Sequence, residues 1–449
     1  MGEIGQYWNP LLDTSKLNLD AHWMPFTASR AFKASPRMIV GGDGHYFTTD
    51  DGRRVFDSLS GLWCTGAGHN IAPINEAIAA QLSKLDFAPS FQFGHPLSFQ
   101  LAERLGELMP GKLNRVFFTN SGSETADTSL KIARAYWRAV GRPEKTKLIG
   151  RAKGYHGVNF GGMSLGGIGP NRKQFGLGVE ADHLPSTLLP ENAFAQGMPQ
   201  YGEHLANYLE HIIAVNDASN IAAVLVEPMS GSGGVVVPPQ GYLERLREIC
   251  TQHEILLIFD EVITGLGRSG AATAAEKLNV IPDIINLAKQ LTNGLIPMGA
   301  VMLREDIHAA FMSDDLPAHG IELPHGYTYS AHPIAAAAAM ATLDYMEDRN
   351  LFAQANDRAE LLQRLIHDLK GTRNVVDIRN FGLAGAIQLA PRDSDPTVRP
   401  YEAGIALWQK DNYVRWGGDT LQFGPPFDST DAELEQLFVQ VGEVLESID

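Results

Sequence analysis

The chain has 449 residues, 44% hydrophobic and 20% charged, the composition of an ordinary globular protein long enough for two domains that share one site. Its 36 basic and 52 acidic residues give a net charge of −16 without any basic cluster, which argues against nucleic acid or an anionic membrane as a partner. Only two cysteines occur, the chain does not open with a signal-peptide pattern, and no apolar run reaches the roughly 18 residues of a membrane span. We therefore expect a cytoplasmic protein without structural disulfides.

The first 70 residues are expected to begin with a helical stretch and to continue into a hairpin. Its strands are predicted at 38–40 and 45–48, joined through the glycine-rich turn 41–44. A glycine-rich loop at 57–70 follows and contains Trp63. Tryptophan is most often a core residue, so Trp63, like Trp23 and Phe26, is either part of the core or part of a binding site.

A strand at 116–119 runs into a helix that begins near residue 121. Ser121 and Glu124 form a capping-box pattern, which is typical of any well-capped helix. The intervening Gly122 and Ser123 leave backbone N–H groups free at the helix N-terminus, which is a ready binding site for a phosphate group.

Tyr155 lies between glycines after a short strand predicted at 147–150, where a tyrosine is usually a packed loop residue. The segment 161–200 is rich in glycine, proline and asparagine. We expect it to form long loops near the entrance to a site.

Residues 221–268 predict a β-α-β unit with two buried parallel strands. The first strand ends at Glu227 and the second at Asp260, with an amphipathic helix at 242–253 between them. Taken alone, Glu227 is expected to form a salt bridge with an arginine, and Asp260 to cap an element or pair with a cation.

A short apolar run at 284–288 predicts a third buried strand, which ends at Lys289. Glu227, Asp260 and Lys289 would then share one edge of the sheet, where open α/β sheets bind ligands. Lysine stems often only cover apolar surface. Pyridoxal 5'-phosphate (PLP), however, needs a lysine amine for its aldehyde and a carboxylate for its ring nitrogen, and Lys289 with Asp260 supplies both.

The C-terminal part begins with an alanine-rich helix at 334–346 and then alternates between helix and strand. Thr328, just before it, reads by itself as a polar loop residue. Arg415 and Gln422 lie on a predicted strand pair, where an arginine most often forms a surface ion pair.

The stretches Phe-Asp-Glu-Val-Ile-Thr-Gly-Leu-Gly-Arg-Ser-Gly at 259–270 and Asn-Leu-Ala-Lys-Gln-Leu-Thr-Asn-Gly at 286–294 resemble the signature of class III aminotransferases. The similarity extends over nearly the whole chain. It implies an α/β protein of the fold-type-I PLP-dependent class, with a mostly parallel sheet of the seven-stranded type in a large domain at 71–333. A small α+β domain would combine residues 1–70 with 334–449.

The resemblance also implies roles for individual residues. Lys289 would bind the cofactor and carry the proton in catalysis, and Asp260 would bind the ring nitrogen. Ser121, Gly122 and Ser123 would form the turn that binds the cofactor phosphate, and Tyr155 and Val262 would contact opposite faces of the ring. Glu227 would be the acid that tethers an arginine, and Thr328 would bind the phosphate of the neighbouring subunit's cofactor.

For the substrate, the resemblance implies that Trp63 lines the pocket and that Arg415, with Gln422 beside it, binds the carboxylate of the amino acceptor. The implied reaction moves the amino group of an omega-amino acid such as β-alanine to pyruvate, giving L-alanine and a semialdehyde. It requires no metal, and the implied assembly is a homodimer or homotetramer with sites at the dimer interface.

Three alternatives remain open at this point. The first is an ornithine-type or 4-aminobutyrate-type transaminase that uses 2-oxoglutarate, and the second is an aminomutase. The third is a catalytically inactive relative that acts as a binding protein, against which the intact Lys289 and Asp260 argue.

Overall fold

The computed structural model describes residues 13–176, 178–313 and 316–449 of the chain. The helical stretch expected at the start falls largely on residues 1–12 and so lies outside the described residues. Beyond them, a single 3₁₀ turn at Thr14–Lys16 precedes the first helix.

Fifteen strands in the described residues form three sheets. In chain order they are β1 (Ile39–Asp43), β2 (Tyr46–Thr49), β3 (Arg54–Asp57), β4 (Arg115–Thr119), β5 (Lys147–Arg151), β6 (Ala181–Leu184), β7 (Ile221–Val226), β8 (Leu256–Asp260), β9 (Ile284–Leu287), β10 (Gly299–Leu303), β11 (Val375–Asn380), β12 (Gly385–Leu389), β13 (Asn412–Tyr413), β14 (Arg415–Gly417) and β15 (Thr420–Phe423).

The α-helices cover the sheets and connect their strands. In chain order they are α1 (Ser29–Ala34), α2 (Ser60–Trp63), α3 (Ala72–Lys84), α4 (Pro96–Leu108), α5 (Gly122–Ala139), α6 (Phe160–Leu165), α7 (Pro170–Lys173), α8 (Tyr208–Asn216), α9 (Tyr242–Gln252), α10 (Ala274–Lys277), α11 (Glu305–Ala309), α12 (Pro333–Asp348), α13 (Leu351–His367), α14 (Val398–Gln409) and α15 (Asp431–Ser447). None of the helices in the described ranges combines the length and the apolar character that a membrane crossing requires.

The largest sheet has seven strands in the order β4-β10-β9-β8-β7-β5-β6. Strands β6, β5, β7, β8 and β9 run parallel to one another, whereas β10 is antiparallel to both of its neighbours, β4 and β9. Strands β7, β8 and β9 are buried along their whole length, because helices cover both faces of a parallel sheet. The α/β class, the mostly parallel sheet and the β-α-β unit are confirmed.

Two four-stranded sheets lie outside this large one. The first has the order β1-β2-β3-β13 and includes the predicted hairpin, and the second has the order β11-β12-β15-β14. Strand β13 pairs in parallel with β3, so residues from the two ends of the chain share one sheet. A separate apolar cluster packs around the second sheet and α13, α14 and α15.

Helix α12 belongs to both of the main cores. Ala335, Ala336 and Ala339 pack with the core of the seven-stranded sheet. Met346, near the C-terminal end of the helix, packs with the cluster of the C-terminal sheet. The alanines allow a close approach of the neighbouring α3.

The prediction of long loops at 161–200 is wrong in part. This segment contains α6, α7 and β6, and β6 forms the outer strand of the large sheet, parallel to β5. Its residues include Asp182 and His183, so this short edge strand lacks the apolar run by which the inner strands are recognised.

Candidate active site

Three chemically distinctive side chains follow neighbouring strands of the large sheet. Glu227 comes directly after β7, Asp260 ends β8, and Lys289 lies two residues beyond β9. Because β7, β8 and β9 are adjacent and parallel, with Asp260 opposite Asn286, their carboxyl ends open onto the same edge. This is the crevice in which open α/β sheets bind their ligands.

Asp260 is held in one orientation by two hydrogen bonds. Its Oδ2 lies 2.8 Å from Nδ1 of His156, and its Oδ1 accepts from the backbone N–H of Val262 at 3.2 Å. Asp260 is 6% exposed and His156 1%. No sequence pattern singles out His156, although it follows Tyr155 directly, because only the loop conformation turns its ring towards β8.

Lys289 begins a short 3₁₀ turn with a positive φ of 47°. Burial lowers the pKa of its amine, and the positive charge of Arg415 acts in the same direction, while Cys64, Asp260 and Glu227 oppose the shift. The neutral amine is the nucleophilic form, so this surrounding favours attack on a carbonyl group.

Glu227 is buried and accepts two hydrogen bonds at Oε1, from the backbone N–H of Tyr155 at 3.0 Å and from Ser230 Oγ at 2.9 Å. Burial raises the pKa of its carboxyl group. The expected salt bridge takes another form: Arg151 donates to the carbonyl oxygen of Glu227 at 2.8 Å and to Ser230 Oγ at 3.0 Å, so the guanidinium holds the turn rather than the carboxylate.

The helix N-terminus of α5 lies beside the same edge. Ser121 Oγ caps it by accepting from the Glu124 N–H at 3.2 Å, while Glu124 Oε2 accepts from the N–H of Asn120, one residue before the cap. Gly122 packs on Val262 so closely that a Cβ there would lie 2.9 Å from Cγ1. Ser123 Oγ accepts from the Val158 N–H at 3.1 Å, which joins this turn to the loop that carries Tyr155.

Arg415 and Gln422 lie directly opposite each other on β14 and β15. Arg415 is half-buried, and its guanidinium forms no hydrogen bond or ion pair with the described residues, so the alternative of a surface ion pair does not apply there. Gln422 is fully buried, with Nε2 donating to Thr420 Oγ1 at 3.3 Å and Oε1 left without a partner in the described structure.

The aromatic candidates differ in exposure. Trp63 is 3% exposed and packs in an apolar cluster, with its ring against Gly424, where a Cβ would lie 2.3 Å away. Trp23 and Phe26 are 92% and 74% exposed. Tyr155 is half-buried, and burial raises the pKa of its hydroxyl, with Arg415 opposing the shift.

Thr328 lies in an exposed turn, and its side chain makes no hydrogen bond within the described parts of the chain. The turn itself is anchored on α5: Thr128 Oγ1 lies 3.0 Å from both Tyr327 OH and His325 Nε2, and Lys131 Nζ lies 2.9 Å from His325 Nδ1.

This arrangement fits PLP. It offers a lysine whose pKa is lowered, an oriented carboxylate at the next strand end, and a helix N-terminus at a glycine turn that has no room for a Cβ. No cluster of three or more potential metal ligands occurs among the described residues.

Fold and site together define a PLP-dependent transferase of fold type I. The family model for aminotransferase class-III matches residues 27–445, and the chain belongs to the class III aminotransferases, whose cofactor is PLP.

Several known proteins are similar over nearly the full length. The β-alanine–pyruvate aminotransferase of Pseudomonas aeruginosa is 61% identical, and the omega-amino acid–pyruvate aminotransferase of Pseudomonas putida is 57% identical, each over 97% of both chains. Among solved structures, a PLP-bound amine transaminase from an uncultivated Pseudomonas species is 36% identical with a TM-score of 0.87, covering 95% of this chain and 98% of that one.

Proposed function

We propose that this protein transfers the amino group of an omega-amino acid such as β-alanine to pyruvate, giving L-alanine and a semialdehyde. The names of the relatives at 61% and 57% identity support this substrate pair over 2-oxoglutarate. The observation that carries the proposal is the guanidinium of Arg415, which has no partner in the described structure and lies near enough to Lys289 to lower the pKa of its amine.

PLP, when bound, supplies an aldehyde that accepts the amino group and a protonated ring that stabilises negative charge on the substrate carbon. Lys289 would hold the aldehyde, and its neutral amine would take up and return the proton of the substrate carbon. Asp260, oriented by His156 and the Val262 N–H, keeps the ring nitrogen protonated.

The proposal also assigns the other cofactor contacts. The Ser121-Gly122-Ser123 turn binds the phosphate at the N-terminus of α5. Tyr155 and Val262 would hold the ring from opposite faces, and Glu227 supports the Tyr155 loop by accepting from the Tyr155 backbone N–H.

Arg415 and Gln422 bind the substrate carboxylate, and Trp63 closes the pocket beside them. A guanidinium can bind a carboxylate through two parallel hydrogen bonds, which makes it suited to short keto acids. The amide of Gln422 is oriented by the hydrogen bond that Nε2 donates to Thr420 Oγ1 at 3.3 Å, and this NH₂ group is the part of the side chain that can donate to a carboxylate.

We further propose a homodimer or homotetramer in which Thr328 binds the phosphate of the neighbouring subunit. Large apolar side chains are exposed in the segment 91–99 and beside Thr328, as expected for a covered interface, and the two segments meet where Phe91 packs on Gly326. They include Phe91 (55%), Phe93 (71%), Phe99 (70%) and Tyr329 (60%). The large domain is then 71–333 and the small domain 1–70 with 334–449, and the two free cysteines support a cytoplasmic location.

The substrate assignment is tested by steady-state rates for a panel of amino donors with pyruvate and with 2-oxoglutarate. We expect β-alanine with pyruvate to be among the best pairs. A strong preference for 2-oxoglutarate would instead favour an ornithine-type or 4-aminobutyrate-type enzyme.

The shared site is tested with a heterodimer of one Lys289→Ala chain and one Thr328→Ala chain. If Thr328 serves the neighbour, both lesions fall on the site of the Lys289→Ala chain and the other site keeps normal cofactor retention. Two damaged sites would place Thr328 in the pocket of its own subunit.

A further inference from the structure

Arg268 is a buried cation without a carboxylate partner. It lies in the loop after Asp260 and is 1% exposed, and no acidic side chain in the described structure is within ion-pair distance of it. Burial lowers the pKa of its guanidinium to about 9, with Asp57 opposing the shift. Such a burial is unfavourable unless the donors find good acceptors, so the contacts of this group require an explanation.

The guanidinium donates to three oxygens from three different loops. Nη1 donates to the carbonyl oxygens of Leu383 at 3.0 Å and Pro425 at 2.6 Å, and Nη2 donates to Ser60 Oγ at 3.0 Å. Leu383 precedes β12, Pro425 follows β15, and Ser60 begins α2. The backbone closes the same contact, because the Leu383 N–H donates to the carbonyl oxygen of Arg268 at 3.0 Å.

These three loops meet at the contact between Trp63 and β15. Ser60 Oγ donates to the carbonyl oxygen of Gly424 at 2.8 Å, and the Gly424 N–H donates to the carbonyl of Ser58 at 2.8 Å. Gly424 is the residue against which the Trp63 ring packs, and the guanidinium centre of Arg268 lies 5.7 Å from that ring.

Arginine suits this position because of its shape. A planar group with five donors can reach several carbonyl oxygens at once, whereas a lysine ammonium is a single point with rotatable donors. An apolar side chain of similar length would fill the space but leave Leu383 O, Pro425 O and Ser60 Oγ without this donor.

We propose that Arg268 is a positioning residue that sets substrate specificity. It joins the loop after Asp260 to Trp63 and to the β14–β15 pair, so that Arg415 and Gln422 stay at a fixed distance from the cofactor. This inference rests on the proposed function, which gives Trp63, Arg415 and Gln422 their roles towards the substrate.

The test compares Arg268→Met, Arg268→Lys and the control Arg245→Met with the wild-type enzyme. Arg245 lies on the surface of α9, where it pairs with Glu248 at 3.1 Å. For each enzyme, single-turnover kinetics give KM and rate for β-alanine, for pyruvate and for an uncharged primary amine. The same preparations are used to measure cofactor retention and hydrogen exchange. Exchange is followed in the segments 380–386 and 421–429, and the segments 256–262 and 284–290 serve as the reference.

In Arg268→Met we expect KM for β-alanine and pyruvate to rise by about 10- to 100-fold, the loss expected for hydrogen bonds from a charged group. The rate at saturation, the KM for the uncharged amine and the cofactor retention are expected to change by less than about threefold. Exchange becomes faster in 380–386 and 421–429 only. Arg268→Lys shows a smaller rise in KM because it keeps the charge, and it carries the test if the methionine variant does not fold.

Equal losses for β-alanine and the uncharged amine together with cofactor loss would show that Arg268 only supports the fold. Unchanged KM values with unchanged exchange would also overturn the proposal. A failure of the proposed function appears separately, as a wild-type enzyme that does not use β-alanine or pyruvate, and the exchange data would still report whether Arg268 holds these loops.

Discussion

The edge of the large sheet and the β14–β15 strand pair both carry candidate site residues, but they differ in how many hydrogen-bond partners the protein gives these side chains. At the sheet edge, Asp260 receives hydrogen bonds from His156 and Val262, and Glu227 receives two at Oε1. On the strand pair, the guanidinium of Arg415 and Oε1 of Gln422 have no partners among the described residues. In the proposed function, the first region would hold the cofactor with side chains that are already oriented, and the second would offer unpaired polar groups to a substrate.

The physical origin of this difference lies in the surrounding structure. Strands β7, β8 and β9 are buried in the middle of a sheet, so the carboxylates at the ends of β7 and β8 need hydrogen bonds from the protein, and both Glu227 and Asp260 receive them. The strand pair is short and closes through Gly418, which has a positive φ of 58°. Arg415 there is only half-buried and can remain unpaired at little cost.

The largest effect is expected at the sheet edge from Lys289→Ala. This change removes both the amine that binds the cofactor and the group that moves the proton, so turnover falls by about 10⁴-fold or more while PLP still binds without a covalent link. Rates and absorption spectra of the purified variant measure it. Near-normal transamination by a homogeneous sample would contradict the assignment of the whole edge.

Asp260→Asn is expected to reduce the rate of substrate deprotonation by about 100- to 1,000-fold with the fold intact. An amide cannot keep the ring nitrogen protonated, so the negative charge on the substrate carbon is stabilised less. The rate and the isotope effect with donors deuterated at the reacting carbon provide the measurement. Values equal to those of the wild-type enzyme would mean that Asp260 only supports the end of β8.

Arg415→Ala tests the second region. Loss of a charge-assisted bidentate contact costs about 2–4 kcal/mol, or about 30- to 1,000-fold in catalytic efficiency for pyruvate. Uncharged primary amines should be affected far less, and Arg245→Met is the matched surface control. Single-turnover kinetics of each half-reaction compare the rates with pyruvate and with the uncharged amine. An equal loss for both would mean that Arg415 supports the structure and does not bind the substrate carboxylate.

The smallest expected effect is on the free energy of unfolding and comes from His45. His45 precedes β2 and lies 3.0 Å from Asp428 and 2.9 Å from Glu433 near the start of α15. Burial alone would lower the pKa of His45, but these hydrogen bonds raise it to about 9. The contribution to stability is therefore complete below a pH of about 6.5 and is lost as the pH rises through about 9.

His45→Gln should accordingly lower the free energy of unfolding by about 1–2 kcal/mol at pH 6, with a smaller difference from the wild type at pH 10. Thermal unfolding at the two pH values, with His204→Gln as an exposed control, gives the measurement. A difference that does not change with pH would show that the charge of His45 does not contribute to the free energy of unfolding. Activity at neutral pH should stay unchanged, since the sheet edge is not involved.

The sequence by itself determined the inner strands of the large sheet and the residues that end them. The apolar runs at 221–226 and 255–259, and the run at 284–288 that only Asn286 interrupts, are local patterns. The polar residue directly after each run is expected at the strand end, which identified Glu227, Asp260 and Lys289. The two motifs around Asp260 and Lys289 then indicated the family. No long-range contact was needed for any of these inferences.

Only the tertiary structure decided which partners these residues meet. The ring of His156 reaches Asp260 from 104 positions away, and Arg151 bonds the backbone of Glu227 instead of its carboxylate. The edge strand β6 forms because β5 offers a free edge, and Trp63 is buried because Gly424 leaves room for its ring. Arg268 has its contacts at Leu383 and Pro425 in the C-terminal part of the chain and at Ser60 in the N-terminal part. Each of these contacts depends on where distant segments meet, which is set by the packing of the whole chain and leaves no local pattern.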